Sequence, residues 1–231
     1  MTPKKLHRFL IGTIPEGRDI LITEEHIVHQ TVSVLKLAID ESFIVFTDGG
    51  PDVTVRITEK TKRALSVTRV SEAQASPLPR TLIAAVSIIK GSGFELVVQK
   101  LTEIGVTTIV PLLTERTVKQ SIRIDRLQKI SNEALEQSGG TIVVTITEPL
   151  TLAECFKRFP HQSILCDAHT RTSIQTLDDT VVLYIGPEGG WSDADNAVFA
   201  EHTMQTLTLG TKILRTETAA IIASHTLLWN F

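Results

Sequence analysis

The sequence is poor in cysteine: Cys155 and Cys166 are the only two in 231 residues. One pair cannot staple a domain of this size, so apolar burial must hold the fold, and the usage fits a reducing compartment. Long hydrophobic runs are also missing. The longest stretch without Asp, Glu, Lys or Arg is 218–231, 14 residues, against the roughly 20 that a membrane-spanning helix needs. Near the start, Lys4, Lys5 and Arg8 precede Phe9-Leu10-Ile11, but Pro15-Glu16-Gly17-Arg18-Asp19 ends that stretch too soon for a secretory signal. Nor is there an excess of positive charge. Lys and Arg number 23 against 26 Asp and Glu, a formal net charge of -3, which excludes a globally basic nucleic-acid binder while permitting a local basic patch. The seven histidines, His26 and His29 among them, do not join the cysteines at zinc spacing. These absences point to a cytoplasmic protein that uses neither a membrane nor a metal.

Hydrophobic residues make up 42% of the chain and charged residues 21%, enough for a buried core. Residues 1–71 show short β-branched runs, Phe9–Ile14, Phe43–Thr47, Val53–Ile57 and Ala64–Val70, with turn chemistry at Asp48-Gly49-Gly50-Pro51-Asp52. This pattern predicts a small β-barrel. Residues 72–79, with two prolines and no periodicity, read as a linker. From 80 to 231 strands and helices alternate. Strands are expected over 81–89, 107–113, 143–146, 163–166, 181–185 and 205–209. Helical stripes cover 94–104, 123–137, 151–159, 192–202 and 216–229. Such alternation means a parallel sheet covered by helices.

Two segments carry the most chemical information. Gly186-Pro187-Glu188-Gly189-Gly190-Trp191 follows a strand and leads into a helix whose start is marked by Ser192 and Asp195. Three glycines let that backbone approach a ligand, or merely make a tight turn. Leu209-Gly210-Thr211-Lys212-Ile213-Leu214-Arg215-Thr216-Glu217 also joins a strand to a helix, with Thr216 as the expected cap and Glu217 facing the positive end of the helix dipole. Taken singly, Glu217 is equally a dipole-compensating acid and Arg215 a solvated cation. Lys90-Gly91-Ser92-Gly93 offers an anion-holding turn but lacks Walker or dinucleotide spacing, which sets aside a nicotinamide oxidoreductase. Arg116, Lys119, Arg123, Arg126 and Lys129 form a basic cluster that is either a phosphate-binding surface or a solvated helix face. Cys166-Asp167-Ala168-His169 resembles a thiol dyad only in sequence.

The ordered set resembles the RsmE-type 16S rRNA uridine methyltransferases. The resemblance rests on His7-Arg8-Phe9, Gln99–Val106, Pro111 with Glu115-Arg116-Thr117-Val118, Glu133-Ala134 with Glu136–Gly139, and above all the 186–191 and 209–220 segments. It implies an α/β fold: a SPOUT-type trefoil-knotted parallel sheet with flanking helices (80–231), preceded by a small PUA-like β-barrel (1–71) that binds RNA. It further implies a homodimer that uses S-adenosylmethionine to methylate N3 of one uridine of small-subunit rRNA. On that resemblance the cofactor slot is expected from Leu165, Ile185, Gly186, Pro187, Glu188, Gly189, Gly190, Leu209, Gly210, Ile213, Leu214, Arg215 and Thr216. Catalysis falls to Arg215, Glu188 and Glu217. The RNA-facing set is His7, Arg8, Lys90, Arg116, Lys119, Arg123 and Arg126. The chain departs from the family pattern at Gln30, Ser92-Gly93 and Gly140, and two of these departures take charge or polarity from RNA-facing surfaces. A non-catalytic RNA-binding module on the same scaffold is the competing interpretation, against which the retained Glu188, Arg215 and Glu217 argue.

Overall fold

The computed structural model describes residues 6–117 and 122–231. The chain divides into two compact units, one of Met1–Ser76 with Leu135–Val143 and one of Pro77–Ala134 with Val144–Phe231.

The first unit holds a five-stranded sheet. Its strands are β1 (Arg8–Leu10), β2 (Asp19–Ile22), β3 (Ser42–Phe46), β4 (Asp52–Lys60) and β5 (Leu65–Ala73), in the order β1-β3-β4-β5-β2. β1 runs parallel to β3, and the other pairs are antiparallel. Alternation builds the core: Phe43 and Val45, Val53, Val55 and Ile57, and Leu65 and Val67 are all buried in one cluster. A helix α1 (Glu25–His29) continues into a π-helical turn (Gln30–Val34) and contributes Ile27 and Val28 to that cluster. Neither β2 nor α1 is foreseen from sequence; each is too short to show a period. Residues 72 and 73, expected in the linker, extend β5, with Asp52 opposite Ala73. Segment Leu135–Val143 joins this unit through backbone contacts such as Gly49 N–H to the Thr141 carbonyl (2.9 Å), and through the Asp48 carboxylate, which accepts from Val143 N–H (2.8 Å).

The second unit is a parallel α/β sheet. Strands β6 (Thr81–Ser87), β7 (Thr108–Leu113), β8 (Thr145–Ile146), β9 (Leu150–Thr151), β10 (Gln162–Cys166), β11 (Thr180–Ile185) and β12 (Met204–Leu207) follow the order β12-β10-β11-β6-β7-β8, with β9 also on β7. Every pairing is parallel. The helices are α2 (Gly93–Ile104), α3 (Ile124–Ser138, of which residues 135–138 belong to the first unit), α4 (Leu152–Arg158), α5 (Asp193–Ala200) and α6 (Thr216–Trp229). Leu82, Ala84 and Val86 of β6 and Val181, Leu183 and Ile185 of β11 pack with α2 and α6 on one face. Ile83, Ala85, Val182 and Tyr184, one residue out of phase, pack with α4 and α5 on the other. Burial on both faces explains why these strands read as continuous apolar runs rather than alternating ones.

Candidate functional site

In open parallel sheets, ligands collect beyond the carboxyl ends of the strands. Three neighbouring strands, β12, β10 and β11, end together, and the segments leaving them line a cavity of about 500 Å³. Residues 165–169 come from the end of β10 and the chain after it, 185–191 from the end of β11 and the chain after it, and Leu209, Gly210, Lys212, Ile213 and Leu214 from the chain between β12 and α6, with Thr216 the first residue of α6. Of the expected slot residues, Leu165, Ile185, Gly186, Pro187, Glu188, Gly189, Gly190, Leu209, Gly210, Ile213, Leu214 and Thr216 line it, and Arg215 does not.

The 186–191 corner is shaped by close packing. A Cβ on Gly186 would stand 2.9 Å from Trp191 Cε2, so a glycine is needed for the indole to lie against the chain. Trp191 in turn meets Phe199 of α5 edge-on, with centroids 4.8 Å apart. Ser192 caps α5 as expected: its Oγ accepts from Asp195 N–H (3.1 Å), while the Asp195 carboxylate accepts from Ser192 N–H (3.0 Å). At the other corner Gly210 has φ +115°, a left-handed conformation open to glycine at little cost. Thr216 is not the cap of α6. Arg215 holds the cap position, and Thr216 is the first helical residue, its hydroxyl donating instead to the Gly186 carbonyl at 3.0 Å.

The segment after β10 wraps the edge of β12. Ser173 N–H donates to the Thr206 carbonyl (2.9 Å) and Thr206 N–H donates to Ser173 Oγ (2.8 Å). Thr208 Oγ1 donates to the carbonyls of Asp167 and Thr170. This bracing puts Asp167, Ala168 and His169 on the cavity wall, with His169 N–H bonded to the Asp167 carboxylate (2.9 Å). Sequence reading left these residues out of the site; the available signal was their position directly after a parallel strand. Cys166 also lines the cavity, and burial pushes its thiol up to about 11, with the Asp167 charge adding to the effect. A thiol so raised is almost wholly protonated at neutral pH and is a poor nucleophile.

The three expected catalytic residues separate. Glu188 lines the cavity; Arg215 and Glu217 are not among its lining residues. The Arg215 side chain is 85% exposed, and its Nη1 lies 4.0 Å from Glu217 Oε1. The expected RNA-facing residues also part company. His7 and Arg8 lie in the first unit, and Lys90, Arg116, Arg123 and Arg126 in the second. Arg8 is engaged within its own unit. It is 8% exposed, pairs with Asp52 (2.6 Å), donates to the carbonyls of Leu135 and Gly140, and stacks over Phe46. Lys90 is exposed in the turn between β6 and α2. Arg123 pairs with Asp125 (2.7 Å), and Arg126 makes a two-pronged pair with Glu95 (2.6 and 2.9 Å). Lys119 lies outside the described residues. Arg116 is on the cavity wall, its Nη1 donating to the Gly189 carbonyl at 2.7 Å. Among the described residues no cluster of three or more His, Cys, Asp or Glu is placed to hold a metal, and no helix is long and apolar enough to cross a membrane.

A parallel α/β unit with a cavity built from glycine corners at its strand ends is the framework of a small-molecule-binding protein. The family model for the RNA methyltransferase domain matches residues 76–228. The chain belongs to the ribosomal RNA small subunit methyltransferase E family. It is 30% identical over 229 residues to the family member of Rickettsia conorii, covering 95% of this chain and 93% of that protein. To the member of Synechocystis sp. it is 32% identical over 209 residues, covering 85% and 68%. The solved structure of the member from Neisseria gonorrhoeae bound to S-adenosyl methionine superposes with a TM-score of 0.88 at 28% identity, covering 97% of this chain and 98% of that one.

Proposed function

We propose that this protein transfers a methyl group from S-adenosylmethionine to N3 of one uridine in 16S ribosomal RNA, and that it does so as a homodimer. The observation that carries this reading is the cavity at the ends of β10, β11 and β12, whose two glycine corners are tied by Thr216 and Gly186. About 500 Å³ lies within the range of small-molecule sites. Leu165, Ile185, Leu209, Ile213 and Leu214 offer apolar walls for an adenine ring, and the glycine backbones offer donors and acceptors at close range. Bound there, the cofactor supplies an electrophilic methyl group on a cationic sulfur.

The chain's own residues then have two tasks. Uracil N3 must lose its proton, and in this reading Glu188 receives it, because it is the one of the three candidate carboxylate and guanidinium groups on the cavity wall. A positioned base contributes about 10²–10⁴-fold. Arg215, exposed at the cap of α6, suits a phosphate of the target nucleotide better than the reacting ring, and Glu217 orients it. In the same reading the five-stranded unit is a PUA-like barrel that docks structured RNA. The hydrogen bonds that lay residues 170–173 along β12 while β10 occupies its other edge support a knotted path for the chain end.

Methyl transfer from tritiated S-adenosylmethionine to small ribosomal subunits lacking the modification, followed by nucleoside analysis, tests the proposal. Label in 3-methyluridine is expected. Label in another nucleoside, or none, contradicts it.

A further inference from the structure

We infer that Arg116 is a positioning residue of the cavity: it clasps the Pro187–Gly190 turn and so keeps Glu188 on the wall, acting on the cofactor side rather than on RNA phosphates. This rests on the methyltransferase reading above. The basis is geometric. β7 ends at Leu113, and the next four residues form a braced turn. Thr117 N–H donates to the Thr114 carbonyl (3.0 Å), Thr114 N–H donates to Thr117 Oγ1 (2.9 Å), and the two hydroxyls are 2.8 Å apart. Arg116 extends from that fixed backbone.

Its Nη1 donates to the Gly189 carbonyl at 2.7 Å, the short length of a charge-assisted bond. Its stem lies along the glycines, since a Cβ on Gly189 would be 3.5 Å from Arg116 Cδ and 3.6 Å from its Cβ. The turn it grips is closed by Gly190 N–H donating to the Pro187 carbonyl (2.9 Å), with Gly190 at φ +70°. Two glycines beside Glu188 leave that turn with much backbone freedom to lose, and Arg116 supplies a fixed point from the separate turn after β7. A planar fork can pack its stem and aim an N–H at the carbonyl together; lysine presents a single rotating ammonium.

The test combines amide hydrogen exchange of the 186–191 segment in the ligand-free protein with calorimetric titration of S-adenosylmethionine and steady-state kinetics on small ribosomal subunits. In Arg116→Ala, exchange of this segment speeds up about fivefold and the S-adenosylmethionine Kd rises by a similar factor, about 1 kcal/mol for one hydrogen bond. The KM for RNA and its salt dependence stay unchanged, and Arg116→Lys recovers part of the loss. Should Arg116→Ala fail to fold, Arg116→Gln and Arg116→Lys carry the same comparison with the stem retained. Wild-type exchange and cofactor affinity, together with a raised KM for RNA and a salt slope shallower by about one, overturn the inference and make Arg116 a phosphate contact. If the wild-type protein binds no S-adenosylmethionine, the methyltransferase reading fails, and the exchange rates still decide whether Arg116 holds the turn.

Discussion

Thr216 Oγ1 donates to the Gly186 carbonyl at 3.0 Å, joining residues 30 positions apart. One is the first residue beyond β11 and the other the first of α6. The bond satisfies an acceptor at a sheet end and fixes the distance between the two corners of the cavity.

Replacing Thr216 by valine keeps the shape and removes the donor. Thr216 is 4% exposed, so the stranded carbonyl should cost about 1–3 kcal/mol. At this chain length that is a fall in melting temperature of roughly 2–4 °C per kcal/mol. S-adenosylmethionine affinity should fall with it, and Thr216→Ser should restore most of both. Calorimetric melting and titration of the two variants check this; a valine variant equal to wild type refutes it.

Gly186→Ala tests the packing side of the same corner. Its Cβ would lie 2.9 Å from the Trp191 indole, which is already seated against Phe199. Overpacking of this kind costs about 1–3 kcal/mol. The Trp191 fluorescence and near-ultraviolet dichroism should change while helix content does not. Unchanged tryptophan signals would show that the ring has room to move.

Arg8→Met is expected to destabilise the protein by about 1–3 kcal/mol, because the Asp52 carboxylate and the carbonyls of Leu135 and Gly140 lose their shared donor. The salt dependence of RNA binding should stay as in the wild type, since Arg8 is buried. A shallower salt slope with full stability would return Arg8 to the RNA surface. Urea unfolding and binding at a series of salt concentrations supply the two readouts.

The fold was legible where burial leaves a periodic trace. The two-faced strands β6 and β11 stand out as apolar runs, and α2 shows its stripe at Phe94, Val97, Val98 and Leu101. The pieces that sequence reading lost are those whose partners are distant. Leu135–Val143 reads as a helix end, a loop and the first residue of a strand, and contacts such as those made by Arg8, Leu10, Asp48 and Gly49 reveal that it sits with the first unit. The glycine corners were visible because glycine marks unusual backbone. Asp167 and His169 were not, because bonds from Asp167 N–H to the Leu207 carbonyl of β12 and from Thr208 to the Asp167 carbonyl place them, and a sequence does not display that edge. Charge alone does not show that the partners of Arg8 are a carboxylate and two carbonyls inside its own unit.

Stability should fall as pH rises from about 9 to 11. Burial pushes the thiols of Cys155 and Cys166 each up to about 11 and raises the Tyr184 phenol as well. In that window the unfolded chain releases thiol protons that the folded chain keeps, so deprotonation favours unfolding; below pH 9 this contribution is complete. Denaturant unfolding across the window should give a shallower decline for Cys166→Ala than for wild type. Equal slopes would mean that the thiol titrates alike in both states.

The central claim is that the corners at Gly186 and Gly210 enclose the S-adenosylmethionine site. Calorimetric titration of S-adenosylmethionine into the wild-type protein and into Gly210→Trp tests it most directly. The account predicts saturable binding to the wild type and at least a tenfold loss in the variant, whose indole would fill the space beside Leu209 and Ile213. Undiminished affinity in Gly210→Trp would contradict it.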